Sequence, residues 1–192
     1  MAATEPFKVQ AVDTVEINYT GTKNFTNAFI EADLLEKQNA RILYCASMVS
    51  CMSMKQMSEQ DQNIFKKSAE DMTIEQLDEV VEEFLELARN YSEADEKAEK
   101  PLAKYRKSAY GMSKIFVRAM CHIYSRKFPQ FLQFSYCPGW CKSDMAGWER
   151  PPRTAAQGAE ITYLLGKSED KAVLEKNGGF FKNDDEFHEW GN

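Results

Sequence analysis

RILYCAS, residues 41–47, is a short apolar run that closes on small and hydroxyl residues. A run of this kind marks a strand buried in a parallel sheet, where both faces are covered and polar alternation is not required. Its carboxyl end, at Ala46 and Ser47, is the edge at which an open parallel sheet gathers reactive groups. Upstream, residues 12–36, VDTVEINYTGTKNFTNAFIEADLLE, place apolar side chains at 12, 15, 19, 25, 29 and 30, which is helical spacing. Asn18, Thr20, Gly21 and Thr22 are poor helix formers in the middle of that stretch. Such a helix survives by packing, and its weak centre has a purpose.

Downstream, TIEQLDEVVEEFLELARN, residues 73–90, is the clearest amphipathic helix in the chain, with Thr73 or Asp71 as its N-cap. The charged run SEADEKAEK follows and reads as a solvated linker or helix end. Residues 108–128 form a long helix with apolar faces on more than one side. FLQFSYCPGW, 131–140, is a second buried strand broken by Pro-Gly; 154–167 is a helix, and GGFFKND, 178–184, a last short strand. Helices alternating with strands in this way predict an α/β domain whose parallel sheet is covered on both faces. At 192 residues, 1–192 is expected to be one domain.

The charge balance narrows the function. A net charge of −6 argues against nucleic acid and anionic membrane surfaces, which call for a basic patch. MAATEPFKVQAVDTVE lacks the basic start and apolar run of a signal peptide, and no stretch is long and apolar enough to span a bilayer. The five cysteines, at 45, 51, 121, 137 and 141, are scattered, and two histidines with a single close cysteine pair make a poor metal site. The expectation is no metal, reduced thiols and a cytoplasmic protein.

A tyrosine four residues before a lysine occurs three times, as Tyr19–Lys23, Tyr110–Lys114 and Tyr163–Lys167. Residues so spaced share a helix face whatever they do. Only Tyr110 and Lys114 open a helix that follows a strand ending in a hydroxyl, Ser47. The other two pairs read as a core tyrosine with a solvated lysine. A phenol near its ordinary pKa of ~10 is a poor acid or base at neutral pH, and an ammonium one turn away is expected to pull it down. With Ser47 to hold an oxygen beside it, the layout suits carbonyl reduction: hydride to carbon, proton to oxygen.

Taken together, FKVQAVDTVEINYTGT, RILYCAS, KSAYGMSKIFV, CPGWCKSDMAG and GGFFKNDDEFHEW resemble the short-chain dehydrogenase/reductases, in family order from residue 7 to residue 190. The resemblance is closer to their monomeric carbonyl reductase branch. It implies the C-terminal part of a Rossmann-type doubly wound sheet, with a helical insertion at about 52–107 that makes the protein monomeric. It also implies NADPH as cofactor and aldehydes, ketones or quinones as substrates. Tyr110 would be the proton donor, Lys114 would lower its pKa and hold the nicotinamide ribose, and Ser47 would orient the carbonyl. Asn18 would hold a water in a proton relay. Pro138, Gly139 and Trp140 would lie over the nicotinamide, with Cys141 and Ser143 near its amide and phosphates, and Trp140 would wall the substrate pocket.

The family's glycine-rich G-x-x-x-G-x-G turn, which seats a pyrophosphate on a helix N-terminus, has no counterpart in this sequence. The resemblance begins after it and leaves RILYCAS as an open sheet edge, which invites association. The chain is therefore expected to be the catalytic half of a reductase with weak or absent NADPH binding of its own, either an incomplete version of a normal reductase or one half of a split enzyme whose sheet a second protein chain completes. The alternative is an inactive remnant serving as a structural subunit in a larger assembly.

Overall fold

A computed structural model describes residues 4–32, 40–91, 108–182 and 187–188. β1, Arg41–Cys45, and β2, Leu132–Cys137, run parallel in the register Arg41↔Leu132 to Cys45↔Tyr136. β3, Phe180–Lys182, joins β2 in parallel. β4, Phe187–His188, pairs antiparallel with β3, giving the order β1-β2-β3-β4. The sequence reading expected three strands; a strand two residues long carries too little periodicity to be recognised. The described sheet ends at β1, and burial reflects that position. Arg41, Ile42 and Leu43 are half-buried, Tyr44 is buried and Cys45 is exposed.

The expected helix over 12–36 begins earlier and is not uniform. α1, Thr4–Val15, and α2, Thr22–Glu31, are joined without a break by a π-helical turn, Glu16–Gly21. The poor helix formers fall in and beside that wider turn, where the ordinary i→i−4 ladder is given up. Between β1 and the next long helix lie α3, Met48–Lys55, α4, Glu59–Lys66, and α5, Ile74–Arg89. Thr73, not Asp71, caps α5: its hydroxyl accepts from the Gln76 amide at 3.3 Å, while Gln76 Oε1 accepts from the Thr73 amide at 2.9 Å. Ile74, Leu77, Val81, Phe84, Leu85 and Ala88 form the buried stripe that the periodicity predicted. The expected linker after α5, and the last part of the expected insertion, lie outside the described residues.

α6, Ala109–Lys127, is the central helix, buried continuously from Gly111 to Cys121. Phe116 is its hub, with ring centroids 5.9 Å from Tyr19, 6.1 Å from Phe65 and 5.8 Å from Phe84. One aromatic side chain thus ties the π turn, α4 and α5 to α6, and truncating it would cost about 3–5 kcal/mol. This cluster extends to Tyr44, Cys137 and Phe180 on one face of the sheet. On the other face α7, Ala155–Lys167, packs Ile161 and Leu165 on Phe134 and Phe181, with the short α8, Lys171–Leu174, contributing Val173. The sheet is covered on both faces, as the element order required.

Candidate active site

β1 ends at Cys45, and two residues later Ser47 becomes the N-cap of α3. Its Oγ accepts from the Val49 amide at 3.2 Å. That bond uses a lone pair and leaves the hydroxyl proton available. The Ser47 side chain stands near enough to the Tyr110 phenol to favour its ionised form. The two hydroxyls come from elements 63 positions apart in the sequence and meet at the carboxyl edge of the sheet.

Gly111 makes this meeting possible. A Cβ at that position would collide with Ser53 Oγ and would lie 2.7 Å from Ser108 Oγ, so α3 approaches the first turn of α6 only because residue 111 has no side chain. Tyr110 is 38 % exposed, whereas Lys114, one turn on, is 9 % exposed. Lys114 Nζ donates to the Cys45 carbonyl at 2.9 Å and lies 5.6 Å from the centre of the Tyr110 ring.

Here the structure corrects the sequence reading. Lys114 was expected to lower the Tyr110 pKa, yet the phenol is held above its ordinary value. Burial is the main cause, the Cys45 and Cys137 thiols add to it, and the nearby Ser47 hydroxyl opposes it. The ammonium, tied to a carbonyl, does not reach the phenol oxygen. Burial also lowers the Lys114 pKa, with the same two thiols acting against the fall.

Asn18 lies in the π turn and its Nδ2 donates to Ser113 Oγ at 3.0 Å. It thus touches the same turn of α6 as Tyr110 and Lys114. Pro138, Gly139, Trp140, Cys141 and Ser143 lie on the loop that leaves β2. Gly139 has φ +82°, a backbone that favours glycine, and a Cβ there would meet Arg153 Cδ at 2.9 Å. Trp140 is exposed. The loop is stapled to its own later residues: the Lys142 amide donates to the Arg153 carbonyl at 2.9 Å and the Arg153 amide to the Trp140 carbonyl at 3.4 Å. The Cys141 thiol turns towards the Pro138 carbonyl, 3.4 Å away, and presses on Gly158 of α7. Ser143 Oγ accepts from the Ala146 amide at 3.2 Å within a tight turn. These two side chains hold the loop in shape.

The other tyrosine–lysine pairs differ from the core-and-solvent pattern. Tyr19 is buried as expected, but its hydroxyl and Lys23 Nζ both donate to Asp78 Oδ1, at 2.8 and 2.6 Å, pinning α5 to the π turn. Tyr163 is 71 % exposed and is not a core residue. Sequence reasoning missed Gly111, Ser113, Arg153 and the Cys45 carbonyl as parts of the site. A glycine inside a helix start is a signal of close approach; a backbone carbonyl has no sequence signal.

The architecture and the sequence have counterparts among known proteins. Salutaridine reductase from Papaver somniferum superposes with a TM-score of 0.71 at 26% identity, covering 90% of this chain and 54% of that one. Menthone neomenthol reductase from Mentha piperita gives 0.65 at 27% identity, covering 90% and 50%. Carbonyl reductase [NADPH] 1 of Rattus norvegicus is 30% identical over 166 residues, which is 83% of this chain and 55% of the rat protein. The chain belongs to the short-chain dehydrogenase/reductase family. The Sus scrofa carbonyl reductase [NADPH] 1 aligns over 192 residues at 29% identity, 97% of this chain and 61% of its own length. This short-chain dehydrogenase/reductase thus spans between half and about three fifths of the length of these relatives. No family model matches the chain. Among the described residues no helix is long and apolar enough to cross a membrane, and no group of three or more His, Cys, Asp or Glu could hold a metal ion.

Proposed function

We propose that the chain carries the catalytic half of an NADPH-dependent reductase of aldehydes, ketones or quinones. One observation carries this reading: the Ser47 hydroxyl stands beside the Tyr110 phenol at the carboxyl edge of a parallel sheet, with Lys114 one turn on and tied to the last residue of β1. A carbonyl oxygen placed between them would accept two hydrogen bonds. Ser47 orients it, and Tyr110 delivers the proton as negative charge develops there. Because burial keeps Tyr110 protonated, its proton is present throughout the neutral range.

The loop residues fit the nicotinamide end of such a cofactor. Gly139 gives the loop its left-handed turn against Arg153, Trp140 offers an exposed ring, and Lys114 two N–H donors beyond the one given to Cys45. Tyr110, Lys114, Pro138, Gly139 and Trp140 would hold it, with Cys141 and Ser143 shaping the loop. NADPH, when bound, supplies hydride to the carbonyl carbon. Trp140 would also wall the substrate side, excluding water from the reacting oxygen.

Among the described residues no strand pairs with the outer edge of β1. Unpaired strand edges recruit backbone from elsewhere, so a strand added to β1, by a second protein chain or by further sequence of the same protein, is what this reading requires for full cofactor affinity. Titrating the purified chain with NADPH and following nucleotide fluorescence and thermal unfolding tests the proposal. Saturable binding supports it; its absence even with a strand-adding partner present would overturn it.

A further inference from the structure

Ser113 joins the two elements on which the proposed chemistry depends. It is fully buried, accepts from Asn18 Nδ2 at 3.0 Å and donates to the Tyr110 carbonyl at 2.9 Å. The direction of both bonds is forced. A carbonyl only accepts, so the single hydroxyl proton goes to Tyr110, and Asn18 must therefore present its amide nitrogen. A serine bonding back to the carbonyl three residues earlier is ordinary in a helix. A second partner 95 positions away in the sequence is not local helix chemistry. That partner stands in a π turn, a distortion that α-helices bear at functional sites. The first turn of α6 is thus gripped from two sides, by Ser53 of α3 packed against Gly111 and by the π turn acting through Ser113.

We propose that Ser113 is a positioning residue that couples Asn18 to the first turn of α6 and so sets the height at which the Tyr110 phenol meets Ser47. The inference rests on the reading of Tyr110 as proton donor. It assigns Asn18 an action through a protein hydroxyl: the geometry of the π turn is passed to the acid, and the amide nitrogen is spent on that task.

The test compares Ser113→Ala, Asn18→Ala, the double variant and Ser113→Thr. Each would be labelled at the tyrosine ring and read by the carbon-13 shift of the Tyr110 phenol carbon at neutral pH, the resonance being assigned by its loss in Tyr110→Phe. The shift is expected to move in both alanine variants as the phenol changes its position relative to Ser47, no further in the double variant, and to return in Ser113→Thr. Carbonyl reduction should fall about tenfold in kcat with KM unchanged, the size of one hydrogen bond lost from a reacting geometry. An unmoved Tyr110 shift in the alanine variants, or effects that add in the double, would overturn the proposal. If Ser113→Ala does not fold, the half-buried Asn18→Ala decides by the same shift. Failure of the reductase reading is separately visible, as turnover that survives Tyr110→Phe while the shift still responds.

Discussion

Lys114 Nζ donates to the Cys45 carbonyl at 2.9 Å, although Tyr110 lies only one helical turn away on the same face. The charge closes the end of β1 and is not spent on the phenol oxygen. A buried ammonium with one carbonyl partner is a structural tie as well as a nearby charge.

The pH profile of reduction follows from that arrangement. Tyr110 must be protonated to donate, and its pKa stands above the ordinary phenol value. The donor form is therefore complete at neutral pH and is lost only as pH rises through a point beyond ~10. The expected kcat is flat from about pH 6 to pH 9. A phenol lowered towards neutrality would instead give a fall beginning near pH 7, which a pH series of initial rates would reveal.

Replacing Lys114 should affect folding as well as rate. Lys114→Met removes the donor to the Cys45 carbonyl, and leaving a part-buried carbonyl unsatisfied costs about 1–3 kcal/mol. Urea unfolding of the variant should show this loss with or without NADPH. Unchanged stability would mean that the tie is not formed in solution.

Gly111→Ala tests the approach of α3 to α6. Alanine is the better helix former, yet its Cβ would collide with Ser53 Oγ and crowd Ser108 Oγ. The expected result is a net destabilisation of about 1–3 kcal/mol, as in an overpacked core. It should be partly relieved by Ser53→Gly, and thermal melts of the single and double variants measure both.

Much of this architecture was legible before any coordinates. RILYCAS, the 73–90 stripe and the Pro-Gly break after β2 carry local signals of burial, period and turn, and each became the element expected. The π turn was foreshadowed by Asn18, Thr20, Gly21 and Thr22, whose weak propensities pointed to a helix held by packing. β4 was not legible, because a strand of two residues leaves no periodic trace. Nor was the pKa of Tyr110. Spacing places Lys114 beside it, but only the fold determines that the ammonium finds a carbonyl first and that burial outweighs the remaining charge. The Asn18–Ser113 bond likewise depends on how two distant helices meet.

His122 predicts an acid-sensitive stability. Burial, with Arg118 and Arg126 nearby, lowers its pKa to about 3 from the ordinary 6.5. As pH falls below 6.5 the unfolded chain takes up a proton that the folded chain refuses, so stability present above 6.5 is lost progressively down to about 3. His122→Gln should lose less between pH 6 and pH 4 than the unaltered protein, a difference of order 1–2 kcal/mol. Equal losses in denaturant melts would show that His122 titrates normally in the fold.

The most direct measurement is carbonyl-dependent consumption of NADPH by the folded chain and by Tyr110→Phe under identical conditions. The expected outcome is consumption that scales with added aldehyde, ketone or quinone and falls at least ~100-fold in the variant, with the variant's unfolding curve unchanged. Equal carbonyl-dependent rates in the two proteins, measured with β1 completed by a strand-adding partner where the chain alone is silent, would contradict Tyr110 as the proton donor of a reductase.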